Sequence, residues 1–262
     1  MKLAANLTLL YPGLTLPERI RSAAQDGFTG VEILFPYDMP AKELARHLQA
    51  HQLKLALINT PPGANGEKGL ACLPGAETQF LVGLKQALDV CQVTACRNIH
   101  VMAGMPPADA HPSVCRSTLI SNLRKAAALA SSAGITLTLE ALNRDDMPGY
   151  FYYLPAQVAD IIAEVGSPTI RLQLDFYHCQ REHLDLNQEL CNALPLIHHV
   201  QFASVVQRRE PDLTDPAVCA ALRSLQSAGY QGWVGCEYHP EADTSTGLAW
   251  RKSYQALLEH RL

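Results

Sequence analysis

Four short runs of this sequence end on an oxygen-bearing side chain, and their spacing constrains the fold more than any other feature. The clearest is Gly232-Trp233-Val234-Gly235-Cys236-Glu237-Tyr238, which is too brief for a helix and reads as a buried strand. A carboxylate at the end of such a strand is costly unless a partner or a cation receives it. Three upstream segments finish alike: Thr136-Leu137-Thr138-Leu139-Glu140, Ile170-Arg171-Leu172-Gln173-Leu174-Asp175 and Ile197-His198-His199-Val200-Gln201. Glu140, Asp175, Gln201 and Glu237 follow one another at 35, 26 and 36 residues. One strand plus its returning helix in a (β/α)₈ barrel takes about 30 residues, so these intervals suit four consecutive units. The strands of such a barrel all point one way, and the four polar ends would meet at one mouth.

The rest of the chain keeps the alternation. Further strands are expected at 3–7, 31–35, 53–58 and 98–102. Helical spacing runs through 16–25, 41–51, 77–93, 114–133, 155–165, 186–194, 216–228 and 246–259. Gly27, Gly134 and Gly229 stop three of these helices. Residues 60–75 are rich in Gly and Pro and lack an apolar period, which predicts a long loop of the kind that often forms a lid. Eight strands alternating with helices, without a break in composition, predict an α/β chain folded as a single (β/α)₈ TIM-barrel domain over 1–262. An open dinucleotide-binding sheet would want a Gly-x-Gly-x-x-Gly turn after an early strand, and there is none. Gly66-Glu67-Lys68-Gly69 lacks the Gly-Lys-Ser/Thr ending of a phosphate-binding loop.

Composition removes several function classes. The formal charge of −4 argues against nucleic acid as the main partner. No run of 18 residues is without polar breaks, so no membrane span is expected. The first residues begin directly in strand-like sequence and lack the pattern of a secretory signal, which gives a cytoplasmic expectation. Eight cysteines without a Cys-x-x-Cys pair read as free thiols, and Cys236 reads as a small apolar strand residue, not a nucleophile. Barrels often associate through their helix faces, so a homo-oligomer is possible.

Three carboxylates in one pocket repel each other unless a cation sits among them. Glu140, Asp175, Gln201 and Glu237 offer only oxygen, which suits Mg²⁺ or Mn²⁺ better than zinc. His178, three residues past Asp175, is placed to donate to a substrate oxygen or to bind the metal. Arg208 suits a substrate carboxylate through a bidentate pair, the alternative being a surface ion pair with Glu210. His100, His198 and His199 read as structural. A metal, two carboxylates and a cation point to proton transfer beside a carbonyl, with Glu140 and Glu237 as the acid/base pair.

These residues resemble the hydroxypyruvate isomerases, within the xylose-isomerase-like barrels, along nearly the whole chain. The resemblance is carried by Ala5-Asn6-Leu7, Gly30-Val31-Glu32-Ile33-Leu34-Phe35-Pro36-Tyr37-Asp38 and Gly69-Leu70-Ala71-Cys72-Leu73-Pro74-Gly75. It continues through Gln173-Leu174-Asp175-Phe176-Tyr177-His178, His199-Val200-Gln201 and 230–238. It implies an enzyme that interconverts aldehyde and ketone forms of a small hydroxy-oxo acid through an enediol. By position, it implies acid/base roles for Glu140 and Glu237, metal ligation by Glu140, Asp175, Gln201 and Glu237, and substrate contact by His178 and Arg208. Two activities occur in the family, on hydroxypyruvate and on a four-carbon 2-oxo-tetronate, and residues 57–63 and 100–104 look more like the second. The segment around Arg208 departs from the family: Ala203-Ser204-Val205-Val206-Gln207 lacks the usual proline, and 213–218 replaces the usual Gly-Glu-Ile-Asn-Tyr. An epimerase on the same metal barrel needs the same two glutamates, and a non-catalytic sugar-acid-binding barrel would be favoured by loss of a metal ligand, of which none is missing. A metal-dependent endonuclease of this fold would want a basic groove and His-rich sites.

Overall fold

A computed structural model describes residues 1–259. Eight parallel strands close into a barrel in sequence order, β1 to β8. They are β1 Lys2–Asn6, β2 Gly30–Glu32, β3 Lys54–Asn59, β4 Asn98–His100, β5 Thr136–Glu140, β6 Ile170–Asp175, β7 Ile197–Phe202 and β8 Trp233–Cys236. The barrel shuts where β1 pairs with β8, with Leu3 opposite Val234 and Ala5 opposite Cys236. Closure leaves no exposed strand edge. Helices α1 Leu16–Gln25, α2 Ala41–Ala50, α3 Glu77–Thr94, α4 Pro112–Ser132 and α5 Pro155–Val165 return the first five crossovers. After β6 the chain forms α6 Phe176–Arg181 and α7 Leu186–Ala193; α8 Pro216–Ser227, α9 Thr244–Gly247 and α10 Trp250–Glu259 complete the ring. No helix among the described residues is long and apolar enough to cross a membrane.

Local chemistry sets these boundaries. Asp185 and Asp215 cap α7 and α8 by accepting from backbone N–H groups of the first turn, each cap being worth about 1 kcal/mol. Gln157 Oε1 turns back to the N–H groups of Tyr153 and Leu154 at the start of α5. That helix ends at Gly166 in the left-handed conformation, φ 70°. Side chains alternate along each strand, so the outward residues Val31, Leu139, Leu174 and Val200 pack buried beneath the helices. The inward residues are largely polar, and that polarity is the unusual part.

Several expected boundaries move for physical reasons. The apolar run 31–35 is strand only to Glu32; a register shift after Val31 breaks the ladder, and the chain turns into a short 3₁₀ segment at Pro36–Asp38. Leu34 and Phe35 line the barrel mouth, so their apolar character serves a cavity. The strand expected at 98–102 ends at His100. The last helix is interrupted between Gly247 and Trp250. Residues 176–181, where no helix is expected, form α6 because Asp175 Oδ1 accepts from the Tyr177 N–H at 2.9 Å and starts a turn. The helices 155–165 and the strands 136–140 and 170–175 fall where expected.

Candidate active site

Glu140, Asp175 and Gln201 stand at or beside the C-terminal ends of β5, β6 and β7, and Glu237 follows β8. The structure brings all four to one buried mouth, each less than a tenth exposed. Arg208 reaches in from the loop after β7, its Nη2 at 3.2 Å from Asp175 Oδ2 and 3.1 Å from Glu237 Oε1. Its Nε donates to the Glu237 carbonyl oxygen at 3.2 Å, and its guanidinium lies over the Tyr177 ring. Gln207 and Arg208 hold left-handed backbones, φ 55° and 52°, a conformation that costs a non-glycine residue about 1 kcal/mol. Such strain is retained where the rest of the structure insists on an orientation. Glu210 takes no part in pairing Arg208 and instead accepts from the Glu241 N–H.

His178, on α6, places Nε2 3.9 Å from Glu140 Oε1 and 3.7 Å from Asp175 Oδ2. Its Nδ1 accepts from the Asn143 backbone N–H at 3.1 Å, so the neutral ring carries its proton on Nε2, facing the carboxylates. That tautomer suits donation to an oxygen better than ligation of a metal. Gln201 sits inside a hydrogen-bond chain: its Nε2 donates to Glu237 Oε2 at 2.5 Å and to Glu32 Oε2 at 2.9 Å, while its Oε1 accepts from Gln173 at 2.6 Å. The amide oxygen expected at a metal is therefore turned toward Gln173.

Burial raises Glu140 well above the usual carboxylate range, with repulsion from Glu237 and Asp175 adding to it. Glu237 is pushed up to about 7 by burial, Arg208 opposing and Asp175 assisting. Burial likewise lifts Asp175 to about 6 against the pull of Arg208. Burial works to lower Arg208, but Glu237, Asp175 and Glu140 outweigh it and hold the guanidinium charged. His178 is driven well below its usual value by burial and by Arg208, so it stays neutral.

The donor set fits a metal ion. Ligand atoms of Glu140 and Asp175 lie within 4.8 Å of one another and of His178, whose Nε2–H leaves the carboxylate oxygens as the donors for an ion. Glu140 Oε1 is buried without a hydrogen-bond partner. A buried carboxylate oxygen left open, with two like charges nearby, is the setting a divalent cation relieves.

Residues not expected at the site complete it. Glu32, at the end of β2, accepts from Asn6 at 3.0 Å and Gln201 at 2.9 Å and faces His199 Nε2 at 2.5 Å. Gln173 joins Glu140 to Gln201, and Thr138 donates to Gln173 Oε1 at 3.0 Å. Thr138, Gln173 and His199 each lie two before a mouth residue on the same strand, Glu140, Asp175 and Gln201, whereas Glu32 itself ends β2. Period-two reading back from Glu140, Asp175 and Gln201 would have found those three, but not Glu32 on β2. His100, expected as purely structural, ends β4 and lies with Nδ1 3.5 Å from Glu140 Oε2. The mouth opens into a cavity of about 260 Å³, lined also by Phe35, Lys68 and Met102.

A parallel barrel with a buried, carboxylate-rich site at the C-terminal ends of its strands has the layout of a barrel enzyme. The xylose isomerase-like TIM-barrel family matches residues 20–254. The 2-oxo-tetronate isomerase of Cupriavidus necator is 42% identical over 97% of this chain and 98% of its own. The hydroxypyruvate isomerase of Escherichia coli is 34% identical over 97% of this chain and 100% of its own. A solved structure from Brucella melitensis, described as an AP endonuclease of family 2, superposes with a TM-score of 0.91 at 40% identity, covering 97% and 98% of the two chains. The chain belongs to the xylose isomerase-like TIM-barrel family, in its hydroxypyruvate isomerase branch, and is an isomerase.

Proposed function

We propose that the chain interconverts the aldehyde and ketone forms of a small hydroxy-oxo acid, hydroxypyruvate or a 2-oxo-tetronate, by proton transfer through an enediol. Glu140 and Glu237 form the acid/base pair. Glu140, Asp175 and Glu237 would hold Mg²⁺ or Mn²⁺, with Gln201 joining them once its amide turns its oxygen from Gln173 to the mouth. When bound, that ion supplies Lewis-acid polarisation of the substrate's adjacent carbonyl and hydroxyl oxygens.

The protein's own residues account for the remaining steps. One glutamate takes the proton from the hydroxyl-bearing carbon, and the neighbouring carbonyl carbon receives a proton from the other. The hydroxyl proton passes between the two substrate oxygens, so the carbonyl moves by one carbon and atoms balance. Glu237, pushed up to about 7, sits where a carboxyl can both take and return a proton near neutral pH. His178 donates from Nε2 to a substrate oxygen, and Arg208 holds Asp175 and Glu237 while touching the substrate. The surrounding burial keeps water from quenching the enediol.

The observation that carries this reading is the pair of buried glutamates on β5 and after β8, three strands apart on one mouth, one of them with an open oxygen. The names of the curated relatives support the substrate class, and both activities occur among them. The test gives the purified protein hydroxypyruvate and, separately, a 2-oxo-tetronate, with Mg²⁺ or Mn²⁺ or with chelator. Metal-dependent movement of the carbonyl is expected. No product from either acid with either ion would sink the reading; inversion at one carbon without carbonyl movement would make the chain an epimerase.

A further inference from the structure

The mouth has a charge problem that the acid/base scheme leaves open. Glu140, Glu237 and Asp146 line the cavity, with Asp175 buried just behind it, and the guanidinium of Arg208 is already shared by Glu237 and Asp175. A substrate that carries its own carboxylate would enter a pocket whose one deep cation is committed to the protein. Lys68, from the 60–75 loop, is the other cation lining this cavity. It forms no ion pair within 4.0 Å among the described residues. The adjacent acid Glu67 is occupied by Asn65, accepting from its N–H at 2.7 Å and from its side-chain amide at 3.0 Å.

The backbone shows that Lys68 is held in place. Its φ is +55°, a left-handed conformation that lysine adopts at a cost, between Gly66 at +84° and Gly69 at +121°. Gly69 N–H donates to the Pro62 carbonyl at 2.7 Å, and Gly69 bridges Ala103 across the mouth. Met105 N–H donates to the Glu67 carbonyl at 2.8 Å, and Cys72 N–H to that of Ala103 at 2.8 Å. A Cβ on Gly69 would overlap the Met102 carbonyl, so the two loops interlock through glycine. A lysine in strained backbone, on a loop tied down on both sides, is an outlier that points to function.

We propose that Lys68 is the residue that receives the substrate's carboxylate, which deepens the isomerase reading above by naming the acid group as the recognised feature. Its ammonium pairs with the carboxylate at the outer wall, while the carbonyl and hydroxyl carbons lie inward between Glu140 and Glu237. Anionic hydroxy-oxo acids are thereby selected over neutral sugars of the same length.

The test compares wild type with Lys68→Arg, Lys68→Gln and Lys68→Gly, all loaded with Mg²⁺. Binding of glycerate, an unreactive hydroxy acid, and of glycerol, its neutral counterpart, is measured by calorimetry beside turnover of the two candidate substrates. Gln and Gly should weaken glycerate on the order of 10- to 100-fold, the loss expected for a charge-assisted hydrogen bond. They should raise KM by a similar factor and leave kcat within a few-fold. Arg should retain both, and glycerol should not distinguish the variants. Lys68→Gly, which also relieves the left-handed backbone, should melt no lower than wild type. Equal glycerate affinity in wild type and Lys68→Gly, or no glycerate binding by wild type, overturns the proposal. Wild type that binds glycerate through Lys68 but isomerises neither acid would uphold Lys68 and overturn the isomerase reading. Turnover with KM unmoved by Lys68→Gly would do the reverse.

Discussion

Glu32 and Glu140 are both glutamates at the inward ends of barrel strands and both nearly inaccessible, yet the protein treats them in opposite ways. Glu32 is fully enclosed by partners: Asn6 and Gln201 donate to Oε2, and His199 Nε2 lies 2.5 Å from Oε1. Glu140 has one oxygen bonded to Gln173 and the other bonded to nothing. Glu140 is also pushed upward by burial and by two neighbouring carboxylates. A buried carboxylate whose lone pairs are filled belongs to the scaffold. One whose oxygen is left open is kept for something that arrives. The difference separates an inner polar layer that fixes the barrel from a mouth layer that does chemistry.

The contrast can be broken most forcefully at Glu32. Glu32→Ala leaves Asn6, His199 and Gln201 facing a hole, and urea unfolding should show a loss of about 3–5 kcal/mol. A loss below about 1 kcal/mol would mean that the inner layer is not scaffold. Gly235 is the next test, because a Cβ there would overlap the Glu32 carboxylate, which its three partners prevent from moving. Gly235→Ala should cost about 2–3 kcal/mol through overpacking, read by the same titration.

The mouth layer should instead reveal itself in pH dependence. Glu237 and Asp175 have folded values of about 7 and about 6, above their ordinary ones, with burial the first cause. The folded state then binds protons more tightly than the unfolded one. Their contribution is full at pH values below about 4 and is lost as pH rises through 6 to 7. Thermal melts of chelator-treated protein should lose about 2 kcal/mol over that window, and Glu237→Gln should flatten the profile. A metal-free profile that rises over the window would contradict the charge arrangement. The smallest effect is expected for Glu140→Gln, which removes a repelled charge while keeping shape and the bond to Gln173. Its unfolding free energy in chelator should stay within about 1 kcal/mol of wild type.

The same contrast explains what could be read from the sequence. The carboxylates at 140, 175 and 237 were visible because each ends an apolar run and their intervals match barrel units. Glu32 obeys the same rule but was masked, since Ile33, Leu34 and Phe35 prolong the apolar run past the true strand end. Those residues are apolar for the cavity and the core, a reason that periodicity cannot separate from strand burial. Gln173 and Thr138 were hidden inside strands, where a single polar residue looks like an outward face until the barrel shows that inward means polar here. The turn of α6 depended on a second role for Asp175, capping with one oxygen and facing Arg208 with the other. That Arg208 pairs inward rather than with Glu210 follows from loop conformation, which no local pattern encodes.

The central claim is that Glu140 and Glu237 move a carbon-bound proton. Incubating the Mg²⁺-loaded protein with each candidate acid in D₂O, and following deuterium at the carbons flanking the carbonyl by NMR, tests it directly. Wild type should exchange the reacting carbon's proton as the carbonyl migrates. Glu140→Gln and Glu237→Gln should each slow exchange by roughly 10²- to 10⁴-fold while remaining folded. Exchange that continues at the wild-type rate in either variant would contradict the account.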